Sequence, residues 1–160
     1  MSEDLPQVLG DLEIMIHGEA ITLPMAMEDF LERGWEPYED DLLEITLEPK
    51  QMWRHELNKG DQYASTFVAN LSDDESCTVR QGTIVGFEYP EVWELPGGIK
   101  PGVSTKDDAI AVYGGPDSAS AKYVYFRNSG FNLNFSLEES GVIRGVYIIF
   151  SAHNDFANVR

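Results

Sequence analysis

LPMAMEDFLERGWEP, residues 23–37, and VSTKDDAIAVYGGP, residues 103–116, read as two copies of one motif. In each, an apolar residue leads into a short amphipathic segment with a bulky side chain, Phe30 or Ile110, ahead of a glycine, Gly34 or Gly114. The glycine can adopt the left-handed conformation that ends a helix, and Pro37 or Pro116 then prevents the helix from resuming. Met27, Phe30 and Leu31 share one face of the first predicted helix, with Glu28, Asp29, Glu32 and Arg33 toward water. Pro24 suits an early helical position, where its missing donor is harmless. The second predicted helix runs to Tyr113 and opens on a capping-box pattern, Ser104 or Thr105 followed by Asp107 or Asp108.

Outward from these helices the chain reads as β-structure. Leu12, Ile14 and Ile16 alternate as a half-buried strand that ends at His17-Gly18. After the acidic loop Tyr38 to Asp41, Leu43, Ile45 and Leu47 alternate with Glu44, Thr46 and Glu48, which predicts another strand, closed by Pro49. Met52 to Leu57 fits a strand or a helical turn equally well. Tyr63 to Asn70 and Thr78 to Tyr89 read as a hairpin across the polar segment Ser72 to Ser76, with Gly82 and Gly86 permitting a bulge. Lys122 to Asn128, Phe131 to Leu137 and Val142 to Phe150 then form an antiparallel meander, turning at Ser129-Gly130 and at Glu138 to Gly141.

This order predicts an α+β fold: two tandem helix-plus-antiparallel-meander repeats forming one curved sheet with helices on one face. The expected repeats cover about 12–89 and 92–152 of a single domain, 1–160, because no linker-like tract separates them. At 160 residues and 42% hydrophobic content, such a chain can bury roughly 70% of its unfolded surface around one core. Cys77 has no second cysteine to pair with and is expected to be inert.

Twenty-eight acidic side chains against 11 basic ones give a formal net charge of -17. Nucleic acid is thereby disfavoured as a partner, since Lys50, Arg54, Lys59, Arg80, Lys100, Lys106 and Lys122 are scattered rather than clustered. Anionic membrane surfaces are repelled for the same reason, and no stretch has the ~20 apolar residues of a membrane span. A basic protein would be attracted. With no signal-peptide pattern after Met1, the expected location is the cytoplasm; a signal segment upstream of Met1 would instead make the chain extracellular or lipid-anchored.

No pattern for catalysis or for metal or cofactor binding emerges. His17, His55 and His153 lack the spacing of a zinc site. Glu39-Asp40-Asp41 and Asp73-Asp74-Glu75 lack the alternation and central glycine of a calcium loop. Gly97-Gly98 and Gly114-Gly115 lack the lysine and hydroxyl of a phosphate loop. The chain is therefore read as a non-enzyme without a cofactor. The candidate functional residues lie on the second meander. If Val124, Phe126, Leu133, Phe135, Val146, Ile148 and Phe150 face the core, the opposite face carries Tyr123, Tyr125, Arg127, Asn132, Asn134 and Tyr147, together with Ser136 and Ile149. Tyr, Arg and Asn in adjacent rows form the kind of surface that binds protein, Tyr supplying area at small entropy loss and Arg fixing polar geometry.

Gly102 to Asp108, Tyr113 to Asp117, Tyr123-Val124-Tyr125, Leu133, Phe135 and Gly141-Val142-Ile143 resemble one repeat of the β-lactamase-inhibitor-protein-like fold. Related single repeats occur in small outer-membrane assembly lipoproteins. The resemblance implies tandem repeats whose concave sheet grips another protein; no inhibitory contact residue carries across. The expected function is a non-catalytic protein-binding module acting through the open sheet face. The alternatives are an immunity or antitoxin-type protein that neutralises a basic toxin and, behind it, an enzyme.

Overall fold

The computed structural model describes residues 12–16, 19–88, 93–127, 131–150 and 157–158. His17, His153, Tyr89 and the turn at Ser129-Gly130 lie outside these residues. In chain order the strands are β1 (Leu12–Ile16), β2 (Glu19–Leu23), β3 (Met25–Ala26), β4 (Glu36–Pro37), β5 (Thr46–Leu47), β6 (Gln51–Lys59), β7 (Gln62–Ala69) and β8 (Cys77–Thr78). They continue with β9 (Thr83–Glu88), β10 (Trp93–Glu94), β11 (Ser118–Ala119), β12 (Tyr123–Arg127), β13 (Phe131–Leu137), β14 (Ile143–Phe150) and β15 (Ala157–Asn158). Two short helices, α1 (Met27–Glu32) and α2 (Lys106–Tyr113), interrupt them.

A 10-stranded sheet dominates, in the order β11-β12-β13-β14-β9-β7-β6-β15, with β3 beside β9 and β4 beside β6. All of its pairings are antiparallel except that of β15 with β6. A 3-stranded sheet, β10-β1-β2, and the pair β5-β8 complete the β-structure.

The chain is thus mostly β, and the expected α+β architecture of two helix-plus-meander repeats is corrected. Strand pairing crosses the expected repeat boundary, because β10, from the second unit, pairs with β1 at the start of the first. The two helices are also not equivalent. α1 spans six residues, has no side-chain cap and buries Phe30 in a stack on Trp35 at 4.9 Å. α2 spans eight residues, opens on a complete Thr105–Asp108 capping box and buries Ala109 and Tyr113, leaving Ile110 only half-buried. The shared Gly34 and Gly114, with φ of 101° and 87°, reflect how helices end rather than a duplicated unit. Pro24 sits ahead of β3 rather than inside α1.

Two further expectations change. Asp40–Glu44 is a 3-10 turn, and only Thr46–Leu47 is extended. Leu43 and Leu47 are both buried, so the alternating pattern there marked one inward side rather than a strand. Thr78 caps a second 3-10 turn, Val79–Gln81, with reciprocal bonds to Gln81, which delays the start of β9 to Thr83. Met52 to Leu57, which periodicity left open, belongs to the nine-residue strand β6.

One cluster of buried side chains forms the core. Across the large sheet, strand register lines up Phe126, Leu133, Ile148, Phe87, Thr66 and His55 on the inner face. Both helices pack on that face: Phe30 meets Phe87 at 5.9 Å, and Tyr113 meets Phe126 at 5.3 Å while donating its hydroxyl to the Pro96 carbonyl at 2.6 Å. The small sheet adds Ile14, Ile16, Ile21 and Leu23 to the same cluster.

Gly86 leaves room for the backbone of β14 to approach β9. A Cβ there would stand 2.2 Å from the Ile148 carbonyl oxygen and 3.0 Å from the Ile149 Cα, both backbone atoms with no freedom to rotate away. The extra residue Val85 makes a bulge against β7, where the register shifts between Phe67 and Val68. Gly86→Ala is expected to lose about 3 kcal/mol in chemical denaturation through overpacking. Gly115→Ala, where an added Cβ meets nothing, is the control and should stay within about 0.5 kcal/mol of wild type.

Candidate functional site

The outer face of the large sheet carries a row of polar and aromatic side chains six strands wide. Successive registers place Tyr125 beside Asn134, Asn134 beside Tyr147, Tyr147 beside Glu88, Glu88 beside Ser65 and Ser65 beside Glu56. This follows from the period of two in each strand: the inner positions are filled by the core, so the intervening residues turn outward together. The next row contains Arg127, Asn132, Ile149, Gly86, Phe67 and Arg54.

Of the residues singled out by sequence, Tyr125, Asn134 and Tyr147 fall in the first row, half-buried. Tyr123 lies opposite Ser136 at 38% exposure, and Arg127 is exposed at the end of β12. Asn132 points to the same side but is only 4% exposed, and its neighbour Ile149 only 1%. The outer face is therefore not open throughout. Asn132 is placed to support the sheet rather than to meet a partner.

Sequence reasoning missed the contribution of the first half. Arg54, Glu56, Tyr63, Ser65 and Glu88 reach the same face from β6, β7 and β9. Arg54 Nη1 binds Glu88 Oε2 at 2.7 Å, bridging over β7, and Ser65 Oγ lies 3.5 Å from the same oxygen. The Glu88 hydrogen bond and charge hold the Arg54 guanidinium above its ordinary pKa. Tyr63 donates its hydroxyl to Glu56 Oε1 at 2.8 Å. Burial, then the bond to Glu56, pushes the Tyr63 phenol up to about 12. Tyr125 is raised as well, first by burial, with Asp117 adding to the shift and Arg127 opposing it. The signal that could have revealed this half was the alternation of Arg54, Glu56 and Asn58 along β6.

The arrangement is suited to binding. Tyrosine rings, an amide and a charge pair already satisfied within the face offer area and hydrogen bonds without an activated nucleophile. Cys77 stands away from this face on β8, and burial pushes its thiol above the ordinary value, which favours the unreactive protonated form. Among the described residues no group of three or more His, Cys, Asp or Glu is placed to hold a metal ion. No helix among them is long and apolar enough to cross a membrane.

No protein-family model matches this chain, no curated protein matches it, and no solved structure matches it.

His55 is the one histidine among the described residues. It is 2% exposed on the inner face, stacked on Trp53 at 4.9 Å, and its Nε2 has no hydrogen-bond partner. Burial lowers its pKa below 6.5, against a weaker upward pull from Glu56. Above pH 6.5 both folded and unfolded chains hold it neutral. Below that, the unfolded chain takes up the proton first, so stability falls with falling pH until the folded-state pKa is reached. His55→Phe keeps the stack and removes the proton. Compared with it, wild type should lose up to about 1.4 kcal/mol more per pH unit below 6.5, read from urea midpoints.

Proposed function

We propose that the chain is a non-catalytic protein-binding module that docks a polypeptide on the outer face of its large sheet, across Tyr125, Asn134 and Tyr147. The observation that carries this reading is the continuous row from Tyr125 to Glu56, which sets aromatic area beside hydrogen-bonding groups on a broad antiparallel surface. Tyr and Arg are residue types that anchor protein interfaces often; Tyr125 stands at the β12 end of the row, and the exposed Arg127 at the same end of the adjacent row.

A second reading, neutralisation of a basic toxin, is favoured by the net charge of -17. Long-range attraction would speed encounter with such a partner, while the sheet face would still supply the short-range fit.

Tyr147 is a poor choice for mutation, because its ring meets Phe67 edge-on at 5.3 Å and packs against the core. The double variant Tyr125→Ser/Arg127→Ala leaves that packing in place. A partner captured from native lysate and then purified should bind the variant at least about 30-fold more weakly in calorimetry, roughly 2 kcal/mol, with unchanged thermal unfolding. Undiminished binding would overturn the reading. A captured protein that is basic, and toxic to cells when expressed without this chain, would select the second reading.

A further inference from the structure

The basic residues divide sharply along the chain. Arg33 and Lys59 pair with Glu19, Lys50 with Asp73, Arg54 with Glu88 and Arg80 with Glu44. Lys100, Lys106, Lys122, Arg127 and Arg144 form no ion pair among the described residues. In a chain with 28 acidic side chains, an unpaired carboxylate carries no information, since most must lack a partner. Cations that pair with none of the described carboxylates, in such an excess of acid, are the informative case.

Two of them meet. Lys122, just ahead of β12, and Arg144, in β14, line one open cleft of about 830 Å³ together with Ser136, Glu138 and Glu139. The cleft lies at the end of the outer sheet face. Ser136 sits between Tyr123 on β12 and Gly145 on β14, and Gly145 contributes no side chain to fill the space. A register shift between Ser136 and Leu137 leaves Arg144 as the extra residue of β14 at this point, and it is exposed.

We propose that this cleft seats an aspartate or glutamate side chain of the docked polypeptide. The inference rests on the outer face being the docking surface, which the cleft continues beside Tyr123. An ammonium and a guanidinium are donors only, and the Ser136 hydroxyl can donate as well, so together they complement a carboxylate. Glu138 and Glu139, in the same lining, set the limit of charge. They oppose a polyanion such as a nucleic-acid backbone or a phosphate dianion and admit a single monoanion. Whatever the net charge of the partner, its contact at this end of the face is acidic.

The test uses the whole chain and two small probes, N-acetylglutamate methylamide and its neutral counterpart N-acetylglutamine methylamide, followed by amide and arginine side-chain chemical shifts. The glutamate probe should give saturable shifts at Ser136, Leu137 and Arg144, and the glutamine probe none. Lys122→Gln/Arg144→Gln should weaken binding at least about tenfold. Lys100→Gln/Lys106→Gln removes the same charge from cations outside the cleft and should leave binding unchanged. Absence of shifts at the cleft, equal shifts with both probes, or equal weakening in both double variants would overturn the proposal. The outcome is separable from that for the sheet face. Loss of the purified partner by Tyr125→Ser/Arg127→Ala, with full retention by Lys122→Gln/Arg144→Gln, would sink the cleft alone. Failure of the face would show in calorimetry whatever the probe does.

Discussion

The pairing of β9 with β14 holds the two halves of this protein to a single surface. It consists of three register pairs: Tyr147 with Glu88, Ile148 with Phe87 and Ile149 with Gly86. Through it the inner row runs unbroken from Phe126 to His55, and the outer row from Tyr125 to Glu56. Gly86 makes this approach feasible, because any larger residue would press a carbon into the Ile148 carbonyl. A slip of one residue along this seam would exchange the inner and outer rows of one half relative to the other, burying Glu88 and exposing Phe87. The seam is therefore a packing constraint and a determinant of the candidate site together.

The outer face that results is chemically graded. At the β6 end it is polar and already satisfied, with Arg54 held by Glu88 and Tyr63 donating to Glu56. Such pairs on a partly exposed surface add little to stability, under about 1 kcal/mol each, but they fix the geometry of the groups that hold them. At the β12 end the aromatic rings stand further out, and the nearby cations form no ion pair among the described residues. Accessible aromatic area at Tyr123, whose hydroxyl is bonded to that of Ser118 at 2.8 Å, thus lies close to the exposed guanidinium of Arg127. The middle of the face, where Asn132 and Ile149 are buried, serves the sheet instead.

Much of the second half was legible in the sequence, and for a local reason. Phe131, Leu133, Phe135 and Leu137 alternate strictly with Asn132, Asn134 and Ser136, and a strand with one buried face leaves that mark whatever its neighbours are. The Thr105–Asp108 capping box and the positive φ at Gly114 are likewise decided within a few residues. The first half misled where local patterns were ambiguous. Leu43, Ile45 and Leu47 can line the inside of a 3-10 turn leading into a short strand as readily as one long strand. The likeness of residues 23–37 to residues 103–116 reflected two helix endings, not two copies of a fold.

By itself the sequence determined which residues turn inward on the strands of the second meander and how both helices stop. Only the tertiary structure decided that β9 lies against β14, that β10 returns to β1, and that Glu88, Ser65 and Glu56 extend the tyrosine row. Side-chain alternation is written into each strand separately by its own period of two. The order in which strands lie side by side depends on contacts between residues far apart in the chain, and no local pattern encodes it.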